Sequence, residues 1–107
     1  MPFELLELAL SLIRILKRLH AKIAARDRDL ATQLRRAAAS VPLNVSEARR
    51  RIGGDRRHLF RIALGSAAES AAALEVAVGW GYLDREEVAE ALALLDRIQA
   101  MAWRAAR

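Results

Sequence analysis

Six arginines crowd one short stretch of the chain: Arg49, Arg50 and Arg51, then Gly53-Gly54, then Arg56, Arg57 and Arg61. A guanidinium offers paired donors that match phosphate oxygens two at a time, so this spacing points to polyanion binding and not to bond-making chemistry. The free N–H groups at the start of a following helix would face the same corner, where anions are favoured. Lys17, Arg18 and Lys22 are expected to extend the track. Aromatic residues do not alternate with the arginines, so base stacking of the single-strand kind is not expected. Contacts would fall mainly on backbone phosphates and carry weak sequence specificity.

The charge distribution agrees. The chain holds 18 Lys and Arg against 13 Asp and Glu, a net +5. Residues 14–61 contain 14 of those bases and four acids (Asp27, Asp29, Glu47, Asp55), so this stretch stands at +10 and the remainder at −5. A basic middle on a small domain is an electrostatic footprint for a nucleic acid or another polyanion.

Residues for other chemistry are sparse. His20 and His58 lie far apart, and neither has a carboxylate or second histidine at metal-ligand spacing. His20 is expected near the end of the first helix and His58 within the basic run. Ser11, Ser40, Ser46, Ser66 and Ser70 have no base in sequence context. Gly53-Gly54-Asp55-Arg56-Arg57 lacks the spacing of a phosphate loop and follows no strand. With no cysteine, disulfides, thiolate metal sites and a cysteine nucleophile are excluded. No catalytic residue, metal ligand or cofactor is assigned, and the protein is expected to act by binding. The acidic opening Met-Pro-Phe-Glu-Leu-Leu-Glu is unlike a secretory signal. No run of about 18 charge-free apolar residues exists to span a membrane. These features suit a cytoplasmic protein.

The elements that must position the arginines are helices. Ala and Leu dominate the apolar content and are strong helix formers. One domain, residues 1–107, is expected as an all-α, antiparallel up-down-up-down four-helix bundle, because short connections make successive helices antiparallel neighbours. The first helix, about Phe3–Ala25, carries Leu5, Leu8, Leu12, Leu16, Leu19 and Ile23 at steps of three and four. The second, capped by Asp29, repeats Leu30, Leu34, Ala37, Val41, Val45, Ala48 and Ile52 in unbroken phase. That phase places Pro42 inside one kinked helix, although proline removes a hydrogen bond and crowds the carbonyl of Ala38. Ser40, Asn44 and Glu47 are expected to serve backbone groups near the kink. Gly53-Gly54 ends this helix and Asp55 caps the third, which runs to about Val78. Leu59, Ile62, Ala63, Ala67, Ser70, Leu74 and Ala77 form the third buried stripe.

Gly65 lies inside the third helix at a cost of about 1 kcal/mol relative to Ala, which predicts close packing against a neighbour. Glu69 interrupts the same small-residue face. Burial there would demand a partner, so a buried pair with Arg35 or Arg36 is expected. Asp84 and Glu87 have capping-box spacing before a fourth helix bearing Val88, Leu92, Leu95, Ile98 and Ala102. The first, third and fourth helices carry more apolar area than one core uses, which predicts a homo-oligomer.

Two segments resemble a known family. Gln33-Leu34-Arg35-Arg36-Ala37-Ala38-Ala39-Ser40-Val41-Pro42-Leu43-Asn44-Val45-Ser46-Glu47 is similar to the "QLRRAA-S-(I/V)P-NI-EG" signature of proteins encoded in 23S rRNA intervening sequences. Phe60-Arg61-Ile62-Ala63-Leu64-Gly65-Ser66-Ala67-Ala68-Glu69 resembles that family's "F—iAlGS—E" helix, and the Gly81-Tyr82-Leu83 turn also fits. Where the family usually has Gly after Glu47, this chain has Ala48. The resemblance implies a four-helix bundle assembled as a homopentamer, with kinship to the accessory variability proteins of diversity-generating retroelements. Those bind a reverse transcriptase and nucleic acid through a basic surface. The resemblance implies no enzymatic activity. The expected function is a nucleic-acid-binding accessory protein linked to an rRNA insertion or a reverse transcriptase. The rival is a protein scaffold whose arginines meet an acidic partner.

Overall fold

A computed structural model describes residues 2–107, which form four helices: α1 (Pro2–Ala24), α2 (Arg28–Ala48), α3 (Gly53–Gly79) and α4 (Arg85–Ala105). The connections have three, four and five residues, too short for anything but antiparallel neighbours. Each helix packs on the next in sequence, and α1 closes the ring by packing on α4. The bundle measures 43 × 22 × 19 Å. One end carries the start of α1, the α2–α3 connection and the end of α4. The other end carries the α1–α2 and α3–α4 turns.

The core follows the periodicity closely in α1, α2 and α4. Leu5, Leu12, Leu16, Leu19 and Ile23 of α1 are buried, as are Leu34, Val41, Val45 and Ala48 of α2, and Val88, Leu95, Ile98 and Ala102 of α4. In α3 the stripe is Phe60, Ala63, Ala67, Ser70, Ala73, Leu74 and Ala77. Leu59 is only half-buried and Ile62 is exposed, so the expected stripe began out of phase. By length and composition α3 alone among the described helices could cross a membrane. Here its buried stripe faces the other helices of the bundle.

The α2–α3 boundary corrects the sequence reading. α2 ends at Ala48, whose methyl fills the core, and not at Gly53. Tight turns follow, with Arg50 N–H donating to the Glu47 carbonyl at 3.0 Å and Arg51 N–H to the Ala48 carbonyl at 3.1 Å. Ile52 is 85% exposed despite fitting the apolar phase. Gly53 and Gly54 open α3, and Gly53 sits at φ +60°, a conformation that side chains disfavour. Ile52, not Asp55, is the N-cap residue, and it supplies no side-chain acceptor.

Two other caps differ or hold. Asp27, two residues before the expected Asp29, caps α2 by accepting from Leu30 N–H at 3.0 Å. The Glu87 carboxylate accepts from Asp84 N–H at 2.8 Å, the return arm of a capping box at the start of α4. α3 ends in a Schellman motif. Gly81 takes φ +80°, Tyr82 N–H donates to the Ala77 carbonyl at 2.9 Å, and Gly81 N–H donates to the Val78 carbonyl at 3.0 Å.

α2 runs unbroken through a buried Pro42. Beside it, Asn44 Nδ2 donates to the Ser40 carbonyl at 2.8 Å and to Ser40 Oγ at 2.9 Å. Ser66 Oγ of α3 donates to the same Ser40 Oγ at 2.7 Å. Asn44 thus serves a backbone carbonyl near the proline, as expected, whereas the Ser40 hydroxyl bonds only the Asn44 and Ser66 side chains and ties α2 to α3. Glu47 does not take part, because it reaches the other way to Arg51.

Candidate nucleic-acid interface

The short α2–α3 connection fixes the arginine corner. Arg49, Arg50 and Arg51 occupy the turn, and Arg56, Arg57 and Arg61 follow within the first turns of α3. All are exposed except Arg56, which is half-buried. Among the described residues, Arg51 is the one corner arginine in a salt bridge, 2.7 Å from the exposed Glu47. Such an exposed pair contributes little, so it does not neutralise the corner.

The antiparallel fold adds residues that sequence proximity did not suggest. Arg104 and Arg107, at the end of α4, share this end of the bundle. It therefore carries eight arginines against four carboxylates, Glu4, Glu7, Glu47 and Asp55. Aromatic rings come too. Arg49 lies over Phe3 at 5.3 Å, Arg56 over Phe60 at 5.6 Å, and Arg107 over Trp103 at 4.6 Å. Phe60 is fully buried, whereas Phe3 and Trp103 are exposed.

The opposite end is electrically different. Lys22 of α1 pairs with Glu87 of α4, and Arg85 pairs with Glu75 at 2.9 Å. The hydrogen bond from Lys22, then that from Asp84 N–H, hold the Glu87 carboxyl below its ordinary value, with partial burial opposing. Arg85 likewise lowers Glu75 by its hydrogen bond. Tyr82 is raised, first by burial and then by its hydrogen bond to Asp27.

Lys17, Arg18 and Lys22 do not extend the corner. They lie 14 to 19 residues beyond Phe3 on α1, about 20–30 Å along the axis at the helical rise. Lys17 instead borders an apolar groove of about 340 Å³ between α1 and α2, with Ile13, Leu16, His20, Leu34 and Arg35. His58 is exposed beside the corner.

The expected buried ion pair is absent. Glu69, Arg35 and Arg36 are all exposed. Glu69 and Arg36 border one open recess with Asp29, Thr32 and Gln33, and no salt bridge joins them among the described residues. The physical reason is rotation of α3. Ser70, the next residue, points inward, which turns Glu69 to the rim. Gly65 is also exposed, and a Cβ there would meet nothing within 4 Å. Close packing within the bundle does not account for it. No group of acidic and histidine side chains able to hold a metal occurs among the described residues.

The sequence model described as 23S rRNA-intervening sequence protein matches residues 4–104. A solved structure, a protein of unknown function from the S23 ribosomal protein family of Bacteroides thetaiotaomicron, superposes with a TM-score of 0.86. It is 20% identical, and the match covers 96% of this chain and 98% of that one. At that identity the likeness is one of fold. No curated protein matches the sequence.

Proposed function

From the premise that this chain belongs to the 23S rRNA-intervening sequence protein family, we propose that it binds the phosphate backbone of nucleic acid without catalysis. The observation that carries this reading is the single-ended charge: eight arginines gathered at one end of the bundle, with one corner guanidinium salt-bridged among the described residues. Guanidinium donors left unpaired by protein are available to phosphate. The biological setting in this reading is an accessory role, with an rRNA intervening sequence or a reverse transcriptase as the partner.

The reading includes a homo-oligomer, with a pentamer favoured by the family resemblance. It is supported by the outer face of α3, where Ile62, Gly65, Ala68, Ala72 and Val76 are exposed, and by exposed Leu10 and Ile13 on α1. Repetition of the arginine end around an assembly would let weak sites combine.

A salt titration tests the binding. Each neutralised phosphate releases counterions, so log K should fall against log salt by about 0.9 per duplex contact or about 0.7 per single-strand contact. Replacing Arg50, Arg56 and Arg57 with Ala should weaken binding across all sequences and flatten the slope, with the fold intact because these residues lie off the core. No binding at about 50 mM salt, where phosphate contacts are strong, would refute the reading and favour a scaffold for an acidic protein.

A further inference from the structure

Phe3 and Trp103 come from opposite ends of the sequence and meet the arginine corner at the same end of the bundle. Phe3, in the first turn of α1, is 58% exposed, and Trp103, in the last turns of α4, is 53% exposed. Each ring has a guanidinium over it, Arg49 at 5.3 Å and Arg107 at 4.6 Å, yet keeps about half of its residue surface open. The bundle is only 22 × 19 Å across, so rings and arginines share one compact end face.

We infer that this end takes single-stranded nucleic acid, with unpaired bases stacking on Phe3 and Trp103 while the arginines hold the intervening phosphates. The inference rests on the nucleic-acid reading above and narrows it to unpaired strands. Every base has a π-face, so two open rings beside cationic groups form a sequence-tolerant stacking platform. In a duplex the bases already stack on one another, and only phosphates would remain for the arginines. Stacking was not expected from the sequence because the rings are remote from the arginine run. The open π-faces beside the positive charge select this occupant over an acidic protein, which would engage the arginines alone. The other exposed tryptophan, Trp80, is 70% exposed at the far end, where Lys22 and Arg85 are ion-paired and Asp27, Asp29, Asp84 and Glu86 offset Arg26 and Arg28.

The test compares an oligouridylate about twelve nucleotides long with an RNA duplex of the same length. The proteins are wild type, the Phe3→Leu/Trp103→Leu double variant, Trp80→Leu, and the Arg50, Arg56 and Arg57 triple variant. Leucine keeps apolar area and removes the π-face. Wild type should prefer the single strand. The double variant should lose about ten-fold or more on the single strand, with duplex affinity and salt slope unchanged, and Trp80→Leu should change nothing. In the Trp80→Leu background, Trp103 emission should be quenched on binding the single strand. Equal weakening on both probes, or none, overturns the inference. So does a change in oligomer mass of the double variant by light scattering, which would assign the rings to a subunit contact. If wild type binds both probes alike and only the arginine triple weakens them, phosphate binding stands and stacking falls. If wild type binds neither, both readings fall.

Discussion

Tyr82 donates its phenolic hydrogen to Asp27 Oδ2 at 3.1 Å, while Asp27 Oδ1 accepts from Leu30 N–H at 3.0 Å. One carboxylate therefore caps α2 and pins the α3–α4 turn beside it. Arg26 lies over the Tyr82 ring at 5.4 Å and completes the clasp. Asp27→Ala should cost about 1 kcal/mol for the cap and more for the stranded hydroxyl. Tyr82→Phe should cost less. Because the residues touch, the double variant should lose less than the sum of the singles. Denaturant unfolding of all four proteins checks this, and strict additivity would count against a shared carboxylate.

Acid should remove the Glu87 contribution. Its folded carboxyl sits below the ordinary 4.5, chiefly through Lys22, so its stabilisation is complete above that value. It is lost as pH falls through the lower, folded value. Glu87→Gln should melt below wild type at about pH 7, and the gap should narrow as pH falls below the ordinary carboxylate range. A gap that stays constant with pH would show that the charge is irrelevant.

Glu69→Ala should leave stability within about 0.5 kcal/mol of wild type, as for surface changes away from special features. Its exposure and lack of a salt bridge require this. A large drop in melting temperature would restore a paired, buried carboxylate.

Gly65→Ala should raise stability in dilute solution by about 1 kcal/mol, the helix-propensity difference, since open space surrounds the added methyl. A loss instead would place a second chain against that backbone.

Helix number, order and most of the core were legible because Leu, Val and Ile recur at helical spacing in α1, α2 and α4. α3 was harder. Its run Ala63–Ala73 holds only small residues apart from Leu64 and Glu69, so little in the pattern fixes its rotation, and the expected stripe puts Glu69 inside with Gly65. Ile52 extended the apolar phase of α2 by coincidence, which hid the end of that helix at Ala48. The pairing of double glycine with a helix stop also misled, because Gly53 uses its left-handed backbone to begin α3. Of the candidate interface, the arginine run was plain in the sequence. Phe3, Trp103, Arg104 and Arg107 were not, because only the antiparallel return of α2 along α1 and of α4 along α3 brings them there.

An even number of antiparallel helices leaves the first turn of α1 and the last turn of α4 beside the cationic face. An affinity tag or fluorescent protein fused to either would overhang that face and shield it, so assays on such fusions should under-read affinity. The chain offers a cleaner handle because it contains no cysteine. Glu86, exposed in the first turn of α4, lies at the far end. A Glu86→Cys variant would therefore accept one thiol-reactive dye per chain, placed away from the cationic face.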